Sequence, residues 1–157
     1  MVADVAREFP HVELRKYHVD ALAARMVTHP QTLDVIVASN LFGDILTDIG
    51  SAISGSLGVA PGGNINPDRT APSMFEPIHG SAPDIASKGI ANPIASIWAG
   101  AMMLDHLGER AAHDRILRAI EAVIADERVR TPDLGGKATT VDMTKAVSTA
   151  MNAAARA

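Results

Sequence analysis

An α/β fold class follows from three observations. Residues 34–39, "DVIVAS", form a continuous apolar run rich in β-branched side chains, the pattern of a buried parallel strand. Residues 12–17, "VELRKY", alternate apolar and charged side chains, the pattern of a half-buried strand. Residues 92–154 carry apolar side chains at helical spacing in three punctuated stretches. Strands and helices together give an α/β protein.

The elements follow in order. Val2, Val5, Ala6 and Phe9 recur at helical spacing, and Pro10 stops the run, so the chain opens in mid-helix. The strand at 12–17 comes next, then a short helix over 20–29 with Asp20 near its start. The strand at 34–39 leads into a helix that Asn40 can cap and that carries Ile45, Leu46, Ile49 and Ile53. Residues 55–93 hold too many Gly and Pro for long helices, yet are too apolar for a disordered linker. Long ordered loops of this kind are more often functional than not. Asn92 caps the next helix and Pro93 takes its first position. Ile94, Ile97, Trp98, Ala101, Met102 and Leu104 make its stripe, and Gly108 ends it. A helix over 109–126 buries Ile116, Leu117, Ile120, Val123 and Ile124. Residues 131–138 make a loop. The spacing of Thr139 and Asp142 suits a capping box for a last helix over 139–154.

Composition narrows the function. The chain has 157 residues, enough for a real core, with 47% hydrophobic and 20% charged residues. Its net charge is -4, aromatics are 3%, and no basic block is present, which argues against nucleic-acid binding. The absence of cysteine excludes disulfides and thiolate chemistry and fits a reducing, cytoplasmic setting. The first residues lack the apolar core of a secretory signal. The apolar stretches are too broken to span a membrane, so no membrane partner is expected.

In "NLFGDILTDIG", residues 40–50, Asp44 and Asp48 interrupt an otherwise apolar, small-residue stretch. On a helix, residues four apart lie about 40° around and roughly 6 Å along from each other, so the two carboxylates point the same way. Burying such a pair without a cation is costly. A hard divalent cation between them would resolve the conflict, because Mg²⁺ and Mn²⁺ prefer oxygen ligands. The plain alternative is that both face water or that one pairs with an arginine. The preceding strand favours a site, since ligands gather at the carboxyl ends of strands in α/β proteins.

"SNLFGDILTDIG", "GSLGVAP", "FEPIHGSAPDIASKGIANP" and "AMMLDHLG" together resemble the isocitrate and isopropylmalate dehydrogenase family of metal-dependent β-decarboxylating dehydrogenases. "NPDRTAPSMFEP" is most similar to the tartrate and D-malate dehydrogenase branch. The resemblance implies the C-terminal portion of the isopropylmalate dehydrogenase-like two-domain fold, with incomplete sheets flanked by helices. Residues 1–54 would belong to the smaller dimerisation and metal-binding domain, and 55–157 to the return into the cofactor-binding domain.

The resemblance also implies roles. Asp44 and Asp48 would bind Mg²⁺ or Mn²⁺ together with substrate. Asp20 would complete the site from the neighbouring subunit of a homodimer, although by itself it reads as a helix cap. "HGSAPDI" would be the adenosine-binding loop, with His79, Gly80, Ser81, Ala82, Asp84 and Ile85 facing the cofactor. Asp84 would accept hydrogen bonds from a ribose, which favours NAD over NADP. The loop's own composition reads equally as a plain turn. Asn92 would meet the adenine edge, cap its helix, or do both. Glu76 would belong to the same wall. Ser87 stands where the family commonly has Gly, which would strain the loop if its φ is positive.

The implied reaction is oxidation of a 2-hydroxy dicarboxylate such as tartrate or D-malate by NAD, with loss of carbon dioxide from the resulting β-keto acid. The cation would acidify the substrate hydroxyl and stabilise the enolate. Isopropylmalate is the alternative substrate. The arginines that grip substrate, and the acid–base tyrosine and lysine, have no match here; Tyr17 and Lys16 do not fit those roles. A chain of this extent would be inactive alone and would pair with itself or with a complementing N-terminal half. A non-catalytic association module and a metal-free nucleotide-binding domain are the other readings.

Overall fold

The structure is a computed structural model that describes residues 1–154. Its chain divides into two compact units, Met1–Gly50 and the residues from Ser51 onward. The last three residues of the cofactor-domain assignment, 155–157, lie outside the described residues.

The first unit is helical. Helix α1 (Val2–Val5) runs into a single 3-10 turn (Ala6–Glu8), and Pro10 follows. Helix α2 (Val19–Thr28) agrees with the spacing of its apolar residues and buries Met26. Helix α3 (Asn40–Ile53) begins in this unit, buries Leu46 and ends three residues past its boundary. The Gly43 N–H donates to the Ser39 carbonyl at 2.7 Å, so helical hydrogen bonding starts one residue before Asn40. Asn40 therefore sits inside the helix. Its side chain turns to Asp44 instead, donating from Nδ2 to Oδ2 at 3.3 Å.

Two expected strands are absent. Residues 12–17 and 34–39 enter no ladder among the described residues. A strand exists only through backbone pairing with a neighbour. Here no segment supplies one, and the apolar run is left in water: Val35 is 87% exposed and Val37 71%. The alternation of one segment and the apolar run of the other were those of strands; the partner is what the described residues lack.

The second unit holds the core. Helices α4 (Ile94–His106), α5 (Arg110–Ala125) and α6 (Thr140–Ala154) pack in sequence. Ile94, Ala119, Ile120, Val123, Met143 and Val147 form its centre, with Trp98, Ile116, Ile124 and Leu134 packed around them. The helix ends follow the sequence. Asn92 Oδ1 accepts from the Ile94 N–H at 3.0 Å, so Asn92 holds the first N–H of α4 from one residue further out than expected, with Pro93 rather than Asn92 at the cap position. Gly108, at φ 92°, lets the Glu109 N–H reach back to the Leu104 carbonyl at 2.8 Å and close α4. Thr139 and Asp142 form the capping box of α6: the Asp142 N–H donates to Thr139 Oγ1 at 3.1 Å and the Thr139 N–H to Asp142 Oδ2 at 3.0 Å.

The breaker-rich region contains a small sheet that side-chain pattern did not announce. Strand β1 (Pro61–Asn64) pairs antiparallel with β2 (Met74–Pro77), with Gly62 opposite Glu76 and Gly63 opposite Phe75. "PGGN" is a poor strand by propensity. β2 nonetheless pairs with it, and both strands contact α4. The loop between them is tied down where Arg69 donates to the His106 carbonyl at 2.8 Å, at the end of α4.

Candidate functional site

The acidic pair lies on α3. Asp44 and Asp48 are both exposed, on successive turns of one helix. Exposure removes the burial argument: water solvates both carboxylates, as the plain alternative required. Asp20, in the first turn of α2, is exposed as well, and its Oδ1 accepts from the Ala21 N–H at 2.8 Å. No cluster of three or more His, Cys, Asp or Glu able to hold a metal forms among the described residues. The chain therefore does not bring Asp20 to Asp44 and Asp48. Two adjacent hard carboxylates still fit part of an octahedral shell, since Mg²⁺ commonly takes one or two carboxylates and keeps several waters.

The candidate cofactor loop lies in the second unit. Backbone bonds hold it as tight turns, Ile85 N–H to the Ala82 carbonyl at 3.1 Å and Lys88 N–H to the Ile85 carbonyl at 3.2 Å. Ala82 (φ 43°) and Ser87 (φ 64°) both adopt the left-handed region, which L-residues enter at a cost. The condition placed on Ser87 is thus met. Non-glycine residues held this way cluster at functional sites.

The groups around this loop suit the adenosine part of a dinucleotide. Gly80 has no heavy atom within 4 Å of where a Cβ would stand, so its backbone is open to approach. Ser81 and Asp84 are exposed, while Ala82 and Ile85 are half-buried and apolar. No partner within the chain takes up the Asp84 carboxylate among the described residues, which leaves it free to accept from hydroxyls. His79 Nδ1 lies 2.9 Å from the Gly80 carbonyl, which can only accept. His79 therefore carries its proton on Nδ1. Glu76 is exposed on β2.

Asn92 is buried at the start of α4 and is engaged on both sides. Its Oδ1 accepts from Ile94, and its Nδ2 donates to Asp133 Oδ2 at 3.0 Å. The same Asp133 oxygen accepts from Ser56 Oγ at 2.5 Å. Ser56 Oγ in turn accepts from the Gly58 N–H at 2.8 Å. Gly58 is required here, since a Cβ would stand 2.9 Å from both Asn92 Cβ and Asp133 Oδ2. Burial works to raise the Asp133 carboxyl, but hydrogen bonds from Ser56, Asn92 and its own backbone outweigh it and hold its pKa below the ordinary carboxylate value. Reading by spacing missed Ser56 and Asp133. Each sits alone in a loop, and only their contact joins them.

A family model described as isocitrate/isopropylmalate dehydrogenase matches residues 1–147. The D-malate dehydrogenase [decarboxylating] of Escherichia coli (strain K12) is 55% identical over 151 residues, covering 93% of this chain and 42% of that protein. The tartrate dehydrogenase/decarboxylase of Pseudomonas putida is 55% identical over 150 residues, covering 92% of this chain and 41% of that protein. Among solved structures, the isocitrate dehydrogenase from Methylococcus capsulatus matches with a TM-score of 0.89 and 47% identity, over 95% of this chain and 44% of that one. The chain thus spans about two-fifths of the length of these curated relatives. The α/β class holds, as part of a larger fold of that kind, and the branch expected from "NPDRTAPSMFEP" agrees with these relatives.

Proposed function

Since the chain belongs to the isocitrate/isopropylmalate dehydrogenase family, we propose that it is the C-terminal portion of an NAD-dependent, divalent-metal-dependent oxidoreductase acting on a 2-hydroxy dicarboxylate. Tartrate or D-malate is the substrate, as in the names of the relatives, with isopropylmalate the alternative. The carrying observation is that the family match over residues 1–147 takes in every candidate ligand.

Asp44 and Asp48 supply two carboxylate ligands to Mg²⁺ or Mn²⁺, and Asp20 supplies a third to the site of a partner subunit. The bound cation would polarise the substrate's hydroxyl and carboxylate oxygens. His79, Gly80, Ser81, Ala82, Asp84, Ile85 and Asn92 hold the adenosine half of NAD. Asp84 accepts from the ribose hydroxyls and repels a 2′-phosphate. Residues 1–54 then serve dimerisation and metal binding, and residues 55–157 the cofactor. The setting is cytoplasmic; no described helix is long and apolar enough to cross a membrane.

The isolated chain contains no match for the family's substrate-gripping arginines or acid–base pair. It therefore turns over no D-malate or tartrate when supplied with NAD and Mn²⁺. Measurable NADH formation by the 157-residue chain would contradict this.

One observation favours a second, non-catalytic reading. Val35, Val37 and Leu41 are 87%, 71% and 66% exposed, an apolar stretch that a second copy or a complementing half would cover. Light scattering decides it: association supports the reading, and a clean monomer at high concentration counts against it.

A further inference from the structure

The Gly58–Ser56–Asp133–Asn92 network joins three loops of the second unit, and of its members the reading above uses only Asn92. Its polarity is fixed by chemistry. A backbone N–H can only donate, so Gly58 donates to Ser56 Oγ at 2.8 Å, and the Ser56 hydroxyl is left to donate to Asp133 at 2.5 Å. An ionised carboxylate can only accept. The Asn92 atom 3.0 Å from Asp133 must therefore be the amide nitrogen, and the atom 3.0 Å from the Ile94 N–H must be the oxygen. The Asn92 carboxamide is thus held in one orientation from both ends, by Ile94 at its oxygen and by Asp133 at its nitrogen.

We propose that Asp133 is a positioning residue for the cofactor pocket: it fixes the Asn92 carboxamide so that Asn92 presents its second Nδ2–H to an acceptor nitrogen of the bound base. The inference rests on the proposed binding of NAD beside Asn92. It adds a residue from a distant loop and a polarity of recognition. One Nδ2 hydrogen goes to Asp133 and Oδ1 goes to Ile94, which leaves a donor for the ligand. A base presenting only a donor there is rejected, because its hydrogen would face another hydrogen.

The test compares binding of NAD with binding of its 1-deaza, 3-deaza and 7-deaza adenine forms by the full chain. Each analogue replaces one acceptor nitrogen with C–H. In the wild type one of the three binds about tenfold more weakly than NAD, the worth of one hydrogen bond. In Asp133→Ala the ratio collapses to within about twofold, and Asp133→Asn, which still offers Asn92 a carbonyl oxygen, restores it. A merely structural role for Asp133 would weaken all four ligands in parallel and leave the ratio intact. Equal binding of all four by the wild type, or an unchanged ratio in Asp133→Ala, overturns the inference while leaving NAD binding standing. A wild type that binds none of them overturns the cofactor reading and this inference with it. The ligand-free wild type gives a measurement that no folding failure can spoil: an Asn92 side-chain amide exchanging with water as fast as an exposed asparagine's overturns the inference.

Discussion

Ser56 and Asp133 lie 77 residues apart and are joined by a 2.5 Å hydrogen bond. The bond closes a large loop of chain, and the same carboxylate oxygen also takes the Asn92 amide. Stability and the proposed cofactor recognition would thus share one anion. Removing it leaves a hydroxyl and an amide seeking partners. Asp133→Ala should cost about 1–2 kcal/mol at neutral pH, toward the low side because the carboxylate is partly solvated. Denaturant midpoints measure it, and no shift would contradict the role.

The same group makes stability depend on acid. Its folded pKa is depressed, so its contribution is present above the unfolded value, about 3.9, and is lost as pH falls through the folded value. The wild type should therefore lose stability below about pH 4 more steeply than Asp133→Asn, which has no proton to take up there. Parallel pH profiles for the two chains would count against the assignment.

Helix α6 depends on its cap. Thr139→Ala removes the acceptor of the Asp142 N–H and should cost about 1 kcal/mol, read as a lower thermal midpoint. Hydrogen bonds from the Thr139 side chain and backbone hold the Asp142 carboxyl below its ordinary pKa. The variant should return that pKa toward the ordinary value, which NMR titration would read directly.

Ser87 offers a stabilising change. At φ 64° it holds a conformation that glycine adopts freely. Ser87→Gly should raise stability by about 0.5–1 kcal/mol, net of glycine's greater freedom when unfolded. A lower midpoint in the variant would mean that the serine side chain contributes something the backbone does not reveal.

What the sequence disclosed divides along a physical line. Capping is local, so Asn92–Pro93 and Thr139–Asp142 were legible within a few residues. Helical stripes were legible for the same reason, and Ile94, Ile120 and Val123 lie in the core as their spacing required. Pairing is not local. "VELRKY" has the period of a strand and "DVIVAS" the apolar run of one, but both stay unpaired among the described residues, while "PGGN", with neither, pairs because β2 lies beside it. The candidate site divides likewise. Asp44 and Asp48 could be placed on one helix face from spacing alone. The Asp133 anchor under Asn92 could not, because no sequence interval encodes a contact between loops.

The acidic pair and the proposed cofactor loop carry the proposed function most directly. Calorimetric titration of the chain with Mn²⁺ and separately with NAD tests both. Weak Mn²⁺ binding should disappear in Asp44→Asn while NAD binding persists. A folded chain that binds neither ligand, or Mn²⁺ binding unchanged by Asp44→Asn, would contradict it.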